Sequence, residues 1–310
     1  MMDIRSASRT HVGGREVNED AALERPDLGL FVLADGAGGQ GAGDVASQLA
    51  LGSLATAFEA SGEGRAERAD VDSFGLYVDA RRLVSAIQHA NRAVMERRQA
   101  EGQNAMGTTV VAALPAASYG SIHVAHVGDS RCYRWRDGLL ELLTEDHSLL
   151  QDVLEMWPDM GDDVLKKLPR NVVTRALGMQ DPLRVTVRTF ELVPRDRYLL
   201  CSDGITEALA PFRINALLGM AHSPEEAAES LVDAAREAGA RDNITALVVV
   251  CAPGEDTEAV APPSVEPAFL VPTGERESVP PHGDDEPEIV ILGELGQEWR
   301  EALDELTRKA

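Results

Sequence analysis

Apolar positions along the chain keep two different periods. Leu51, Leu54, Ala55 and Phe58 recur at three-and-four spacing and predict a helix over 43–60 with one buried face. Leu83, Ile87, Ala90 and Val94 do the same and predict a second helix from about Asp79 to Gln99. A period of two then takes over at 108–114, 121–127 and 131–135, and again at Leu140–Leu143 after the Asp137-Gly138 pair of a tight hairpin turn. Further short strands are predicted at 3–12, 21–24, 184–192 and 197–202. Leu30–Ala34 and Ile244–Cys251 are continuous apolar runs of strand length, the signature of buried strands. A helix opens at Ser223-Pro224-Glu225-Glu226, which supplies a capping serine, a proline at the first helical position and a glutamate three residues past the cap. Ala228, Leu231, Val232 and Ala235 form its apolar face. Residues 144–178 interrupt the strands with two predicted short helices, Ser148–Trp157 and Asp162–Leu168. Helices come in blocks rather than after each strand. That order predicts an α+β fold of two mostly antiparallel sheets, packed together with helices on their outer faces.

The buried strands end on acids. Leu30–Ala34 runs into Asp35-Gly36 and a glycine-rich stretch, and Tyr198–Ser202 runs into Asp203-Gly204. Asp242 immediately precedes the last strand. Three carboxylates on strand rims can meet at one edge of a core, and hard divalent cations take such oxygen sets. The loop Gly13–Asp20 carries Arg15 and the adjacent acids Glu19 and Asp20. Alone, such a cluster reads as a solvated turn; beside the strand-end acids it becomes a candidate part of the same site. His123 and His126, on opposite faces of one strand, read as packed or hydrogen-bonded histidines rather than ligands.

Charge and composition narrow the function. The 310-residue chain carries a net charge of −23, whose field repels phosphate backbones and anionic lipid, so neither nucleic acid nor membrane is expected as a partner. Cys132, Cys201 and Cys251 all lie in strand-like runs and read as small core hydrophobes of a reducing compartment. With no apolar signal core and no window of spanning length, the expected location is the cytoplasm. Residues 1–252 are expected to form the globular domain. Residues 253–287 hold 8 of the 16 prolines and read as an acidic, disordered linker. Over 288–310 a short apolar patch, Ile289–Leu292, precedes an expected helix with Leu295, Trp299, Ala302, Leu303 and Leu306 on one face. That helix either docks on its own domain or binds a protein partner.

The ordered set REVNED (15–20), ADGAGG, GTT (107–109), VGDSR, NVVTRALG, CSDGITE and RDNIT resembles the metal-dependent type 2C Ser/Thr protein phosphatases, bacterial members included. The resemblance covers residues 1 to about 252. It implies a four-layer α-β-β-α sandwich with two tightly held Mg²⁺ or Mn²⁺ ions between the sheets. It further implies that Asp35 bridges the two ions and that Gly36 contributes its carbonyl. Asp203 and Asp242 would complete one ion, and Glu19 would serve the other directly or through water. Asp20 would stand behind the ligands, and Arg15 would grip the substrate phosphate. Asp129, with Asp203 and Glu207, is similar to a weaker third metal site, and residues 144–178 match the flap. The implied activity is hydrolysis of phosphoserine and phosphothreonine in proteins by a metal-activated water, counteracting Ser/Thr kinases on the kinases themselves and their substrates. Two cations can neutralise phosphoryl charge and make water nucleophilic near neutral pH. No Gly-x-Ser-x-Gly elbow and no Walker-type Gly-Lys-Ser/Thr competes with that reading. Two positions depart from the pattern. Ala37 stands where many eukaryotic relatives have a histidine acid, and Glu207 stands where an aspartate is common. A phosphatase of an anti-sigma-antagonist switch protein and an inactive phosphatase-fold scaffold are the rival readings.

Overall fold

The computed structural model describes residues 2–38, 41–62, 70–73, 75–102, 106–158, 160–165, 167–169, 171–252 and 290–291. The chain begins with β1 (Asp3–His11), β2 (Asp20–Arg25) and β3 (Leu30–Ala37), followed by the helices α1 (Ala42–Ala60) and α2 (Val78–Glu101). β4 (Gly107–Thr108), β5 (Val110–Ala116), β6 (Ser121–Val127), β7 (Arg131–Arg136) and β8 (Leu139–Leu142) come next. The excursion that breaks the strand run holds α3 (Leu149–Met156), α4 (Asp162–Leu165) and β9 (Val172–Val173). β10 (Thr186–Glu191) and β11 (Arg197–Cys201) precede α5 (Asp203–Ala208), α6 (Pro211–Met220), α7 (Pro224–Glu237) and β12 (Ile244–Ala252). The short β13 (Val290–Ile291) pairs in parallel with β9.

The strands form a five-stranded sheet, β1-β12-β11-β7-β8, and a six-stranded sheet, β10-β6-β5-β3-β2 with β4 attached to β3. Alternation within single strands explains the layers. Phe31 and Leu33 of β3, Tyr198 and Leu200 of β11, and Leu247 and Val249 of β12 share a core between the sheets. Their neighbours Leu30, Val32 and Ala34 face α1 and α2, while Leu199, Cys201, Ala246 and Val248 face α5, α6 and α7. Central strands covered on both faces cannot alternate apolar with polar, which is why their sequences read as continuous runs. Each large side chain so buried contributes about 1.5–3 kcal/mol. The architecture is the four-layer α-β-β-α sandwich expected.

Several boundaries differ from the sequence reading. The single strand expected at 108–114 is two: Gly107–Thr108 peel away to pair with Gly36–Ala37 at the end of β3. α6 was not legible. Ile214 and Leu218 face inward while Phe212 and Met220 lie exposed, so its apolar residues keep no single stripe. α7 starts as expected, with the Ser223 hydroxyl accepting from the Glu226 amide over 3.1 Å. The three cysteines are buried and free. The linker over 253–287 and the helix expected after Leu292 lie outside the described residues.

Candidate active site

The rim where the two sheets meet collects the acids. The period of two that sends Phe31 and Leu33 between the sheets sends Asp35 there too. On β2, Asp20 lies directly opposite Asp35 in register. The same alternation on β11 brings Ser202 inward, and its hydroxyl donates to Asp20 Oδ2 over 2.7 Å. Asp203 follows as the first residue of α5. Asp242 precedes β12, held by the Asn243 amide at 2.6 Å. Asp129 lies on the turn between β6 and β7. Asp20, Asp35 and Asp242 are buried.

The backbone around Asp35 is fastened from three sides. Its carbonyl accepts from the Thr109 amide and the Thr108 hydroxyl, both at 2.8 Å. Its amide donates to Thr109 Oγ1, and that hydroxyl meets Ser130 Oγ at 2.7 Å. Thr109 and Ser130 thereby link the Asp35 strand end to the Asp129 turn. The next residue must be glycine: a Cβ on Gly36 would run into the carbonyl of Gly43 and crowd that of Glu19. Glu19 turns its carboxylate to the start of α1, where the Gly43 amide donates to Oε1 over 3.1 Å. A helix N-terminus suits an anion there.

Arg15 Nη2 lies 3.1 Å from Asp242 Oδ2. The arginine proposed for phosphate is thus already inside the acid cluster, paired with one candidate ligand. Asn243 secures its loop. The side-chain amide of Asn243 donates to the Val12 and Val17 carbonyls, and its Oδ1 accepts from the Glu19 amide.

The Asp129 turn is clamped by residues at the start of the 144–178 excursion. His147 donates its amide to the Gly128 carbonyl over 3.0 Å and accepts the Gly128 amide on Nδ1 over 3.1 Å. Nε2 therefore carries the proton and meets Thr186 Oγ1 at 3.0 Å. Burial, then the neighbouring charges of His126, Arg175 and Arg184, push its pKa down to about 3, so the ring stays neutral and the clamp keeps its acceptor. Asp146 accepts from both Nε and Nη2 of the Arg131 guanidinium. His126 stacks on His147 and bonds the Glu145 carbonyl, as a packed histidine should.

Electrostatically the rim is strained. Burial first, and then the charges of Asp20, Asp203, Asp242 and Asp129, raise the Asp35 carboxyl well above the carboxylate range. Asp203 is raised likewise by burial, Asp242, Asp129 and Glu207. Asp20 is pushed up to about 6 and Asp129 to about 7, burial leading in both. Glu207 is exposed on α5 yet close enough to repel both Asp203 and Asp129. Among the described residues no three such side chains have closed into a coordinating cluster. Even so, buried Oδ1 atoms of Asp20, Asp129 and Asp203 have no hydrogen-bond partner. Unsatisfied buried oxygens are costly, and an all-oxygen anionic set suits a hard divalent cation.

One result follows for the protein in EDTA. These acids ionise at higher pH folded than unfolded, so between about pH 4 and about 7 the folded chain binds more protons than the unfolded. Stability is present below that window and is lost as pH rises through it. Thermal melts are expected to give a lower melting temperature at pH 8 than at pH 5. A flat or rising profile would contradict the clustering of these acids.

Sequence reasoning brought Asp35, Asp203, Asp242, Glu19, Asp20, Arg15, Gly36, Asp129 and Glu207 to one region, and the structure gathers them there. It missed the supports: Thr108, Thr109, Ser130, Ser202, Asn243 and His147. All but His147 sit inside the motifs that carry the family resemblance.

This fold with an acid-rich rim between two sheets defines a phosphatase-like sandwich, and comparison with known proteins agrees. Residues 8–236 match the family model described as protein phosphatase 2C. The serine/threonine phosphatase stp of Listeria welshimeri is 34% identical over 240 residues, covering 76% of this chain and 90% of the relative. The crystal structure of the Mycobacterium tuberculosis serine/threonine phosphatase PstP superposes with a TM-score of 0.69 at 30% identity, covering 82% of this chain and 100% of the other. A structure of the PstP catalytic domain in complex with two manganese ions matches with a TM-score of 0.67 at 30% identity, over 82% of this chain and all of that one. The chain belongs to the protein phosphatase 2C family, and it is an enzyme of that type.

Proposed function

We propose that the protein hydrolyses phosphoserine and phosphothreonine in proteins, reversing the action of Ser/Thr kinases, at the rim formed by Asp35, Asp203 and Asp242. The observation that carries this reading is the set of buried carboxylates that raise one another's pKa while leaving oxygens without donors. In this reading Asp35, the Gly36 carbonyl, Asp203, Asp242 and Glu19 hold two divalent cations, Mg²⁺ or Mn²⁺. When bound, the ions supply charge neutralisation for the phosphoryl group and an activated water.

The chain's own residues do the rest. Arg15 presents a planar fork of donors at the rim, suited to a phosphate dianion. Its pair with Asp242 would give way to substrate if Asp242 served as a cation ligand. Asp20, bonded to Ser202, stands behind Asp35 and aligns the site's floor. Thr109 and Ser130 keep the Asp35 and Asp129 backbones at a fixed separation. Ala37 offers no proton, so the leaving alkoxide takes its proton from water. Asp129, Asp203 and Glu207 would hold a third, more hydrated ion beside the flap.

The test is phosphate release from a panel of phosphoserine and phosphothreonine peptides with Mn²⁺, against an EDTA control. Release that depends on Mn²⁺ is expected. Equal release in EDTA, or none from any peptide, would overturn the assignment.

A further inference from the structure

β9 is only two residues long, yet both its edges are engaged. On one edge Val173 bridges antiparallel to Ser148, and the Thr174 amide donates to the His147 carbonyl over 2.8 Å. On the other, Val172 and Val173 pair in parallel with Val290 and Ile291. The flap carries its own small core of Leu149, Val153, Leu168 and Val172, separate from the three cores of the sandwich. An element with its own core can shift as a unit. One of its connections to the site runs through His147, because the His147 that β9 bonds is the same His147 that holds both backbone groups of Gly128.

We propose that the outer edge of β9 is a strand-docking site whose resident ligand is this chain's own C-terminal strand, Val290–Ile291. Docking by strand addition uses backbone groups for binding and needs only a short extended segment. The sequence supplies one: Ile289-Val290-Ile291 has the β-branched side chains that favour strands, between Pro287-Glu288 and Gly293-Glu294. A ladder this short holds a free peptide poorly. Tethering changes that, because a linked segment faces its site at an effective concentration on the order of millimolar. Residues 253–289 impose no limit on reach, since a chain of that length spans up to about 120 Å when extended. The tether is therefore a reversible latch on the flap. Engaged, it steadies β9, and through His147 it steadies the Gly128-Asp129 turn. Released, it leaves a bare strand edge beside the site.

The test uses the full chain with and without V290P/I291P, which removes both backbone donors of the docked strand. The readout is hydrogen exchange of individual amides by NMR and needs no catalytic activity. The Val173 amide is expected to exchange at least tenfold faster in the variant, with β5 and β11 amides unchanged as the control for folding. Equal exchange at Val173 in both proteins would overturn the proposal. So would protection that rises with protein concentration, which would mean that a second copy provides the strand.

Discussion

Asp35→Asn is expected to abolish hydrolysis and, in EDTA at pH 8, to raise the melting temperature. The two effects have one cause. Asp35 is buried and surrounded by Asp20, Asp203, Asp242 and Asp129, so its charge is tolerable only with cations beside it. Asparagine keeps the shape and removes the charge. If Asp35 bridges two ions as proposed, the rate is expected to fall at least a thousandfold, about 4 kcal/mol of transition-state stabilisation. With one fewer buried charge the metal-free chain is expected to gain a few degrees, as roughly 1 kcal/mol moves a domain of this size by about 2–4 °C. The fall in melting temperature between pH 5 and pH 8 should shrink as well. Asp203→Asn is expected to behave alike. Asp242→Asn should lose activity without the gain, because it breaks the 3.1 Å pair with Arg15. Near-normal turnover by Asp35→Asn in saturating Mn²⁺ would remove the basis for a two-ion site. Lost activity together with a lowered melting temperature would make Asp35 a structural residue.

Asp129→Ala is expected to lower kcat on a phosphopeptide at least tenfold while leaving two tight metal-binding events intact in calorimetry. A third, weak event should disappear. The alternative, that Asp129 merely pairs with Arg131, loses ground because Asp146 accepts from Arg131 Nε and Nη2 while Nη1 donates to the Tyr133 hydroxyl. Asp129 instead keeps a buried oxygen without a donor, on a turn fixed by His147 and Ser130. With Glu207 it offers few protein oxygens, so an ion there would stay largely hydrated and bind weakly. A water-rich ion held there would offer the proton that Ala37 cannot. Loss of the tight events, or an unchanged kcat, would return Asp129 to a structural role.

The strand-end acids were legible because each borders an apolar run, Asp35 and Asp203 after one and Asp242 before one. Asp35 after Leu30–Ala34 is the plainest case. The layers were legible from period and from element order. What escaped was whatever depends on contact rather than on period. Thr109 and Ser130 touch across two loops, and nothing in their local sequence shows it. α6 escaped because Phe212 and Met220 are exposed and blur its stripe. β9 and β13 escaped because two residues carry no period at all. Their pairing joins segments more than a hundred positions apart.

The pairing of β1 with β12 sets Asp3 opposite Ala252 at one end and His11 opposite Ile244 at the other. The acid-rich rim adjoins the second end, while the chain enters and leaves the sandwich at the first. At about 3.3 Å per residue, the nine-residue strands keep those two ends roughly 30 Å apart. The domain is therefore a cassette with its two connectors side by side and its working face turned away from both. Cargo fused before Asp3 or after Ala252 would hang from the rear, leaving the mouth open to a phosphorylated chain. The distance from Ala252 to β9 then becomes an adjustable length, and shortening residues 253–289 by design would convert a loose latch into a strap too short to fasten.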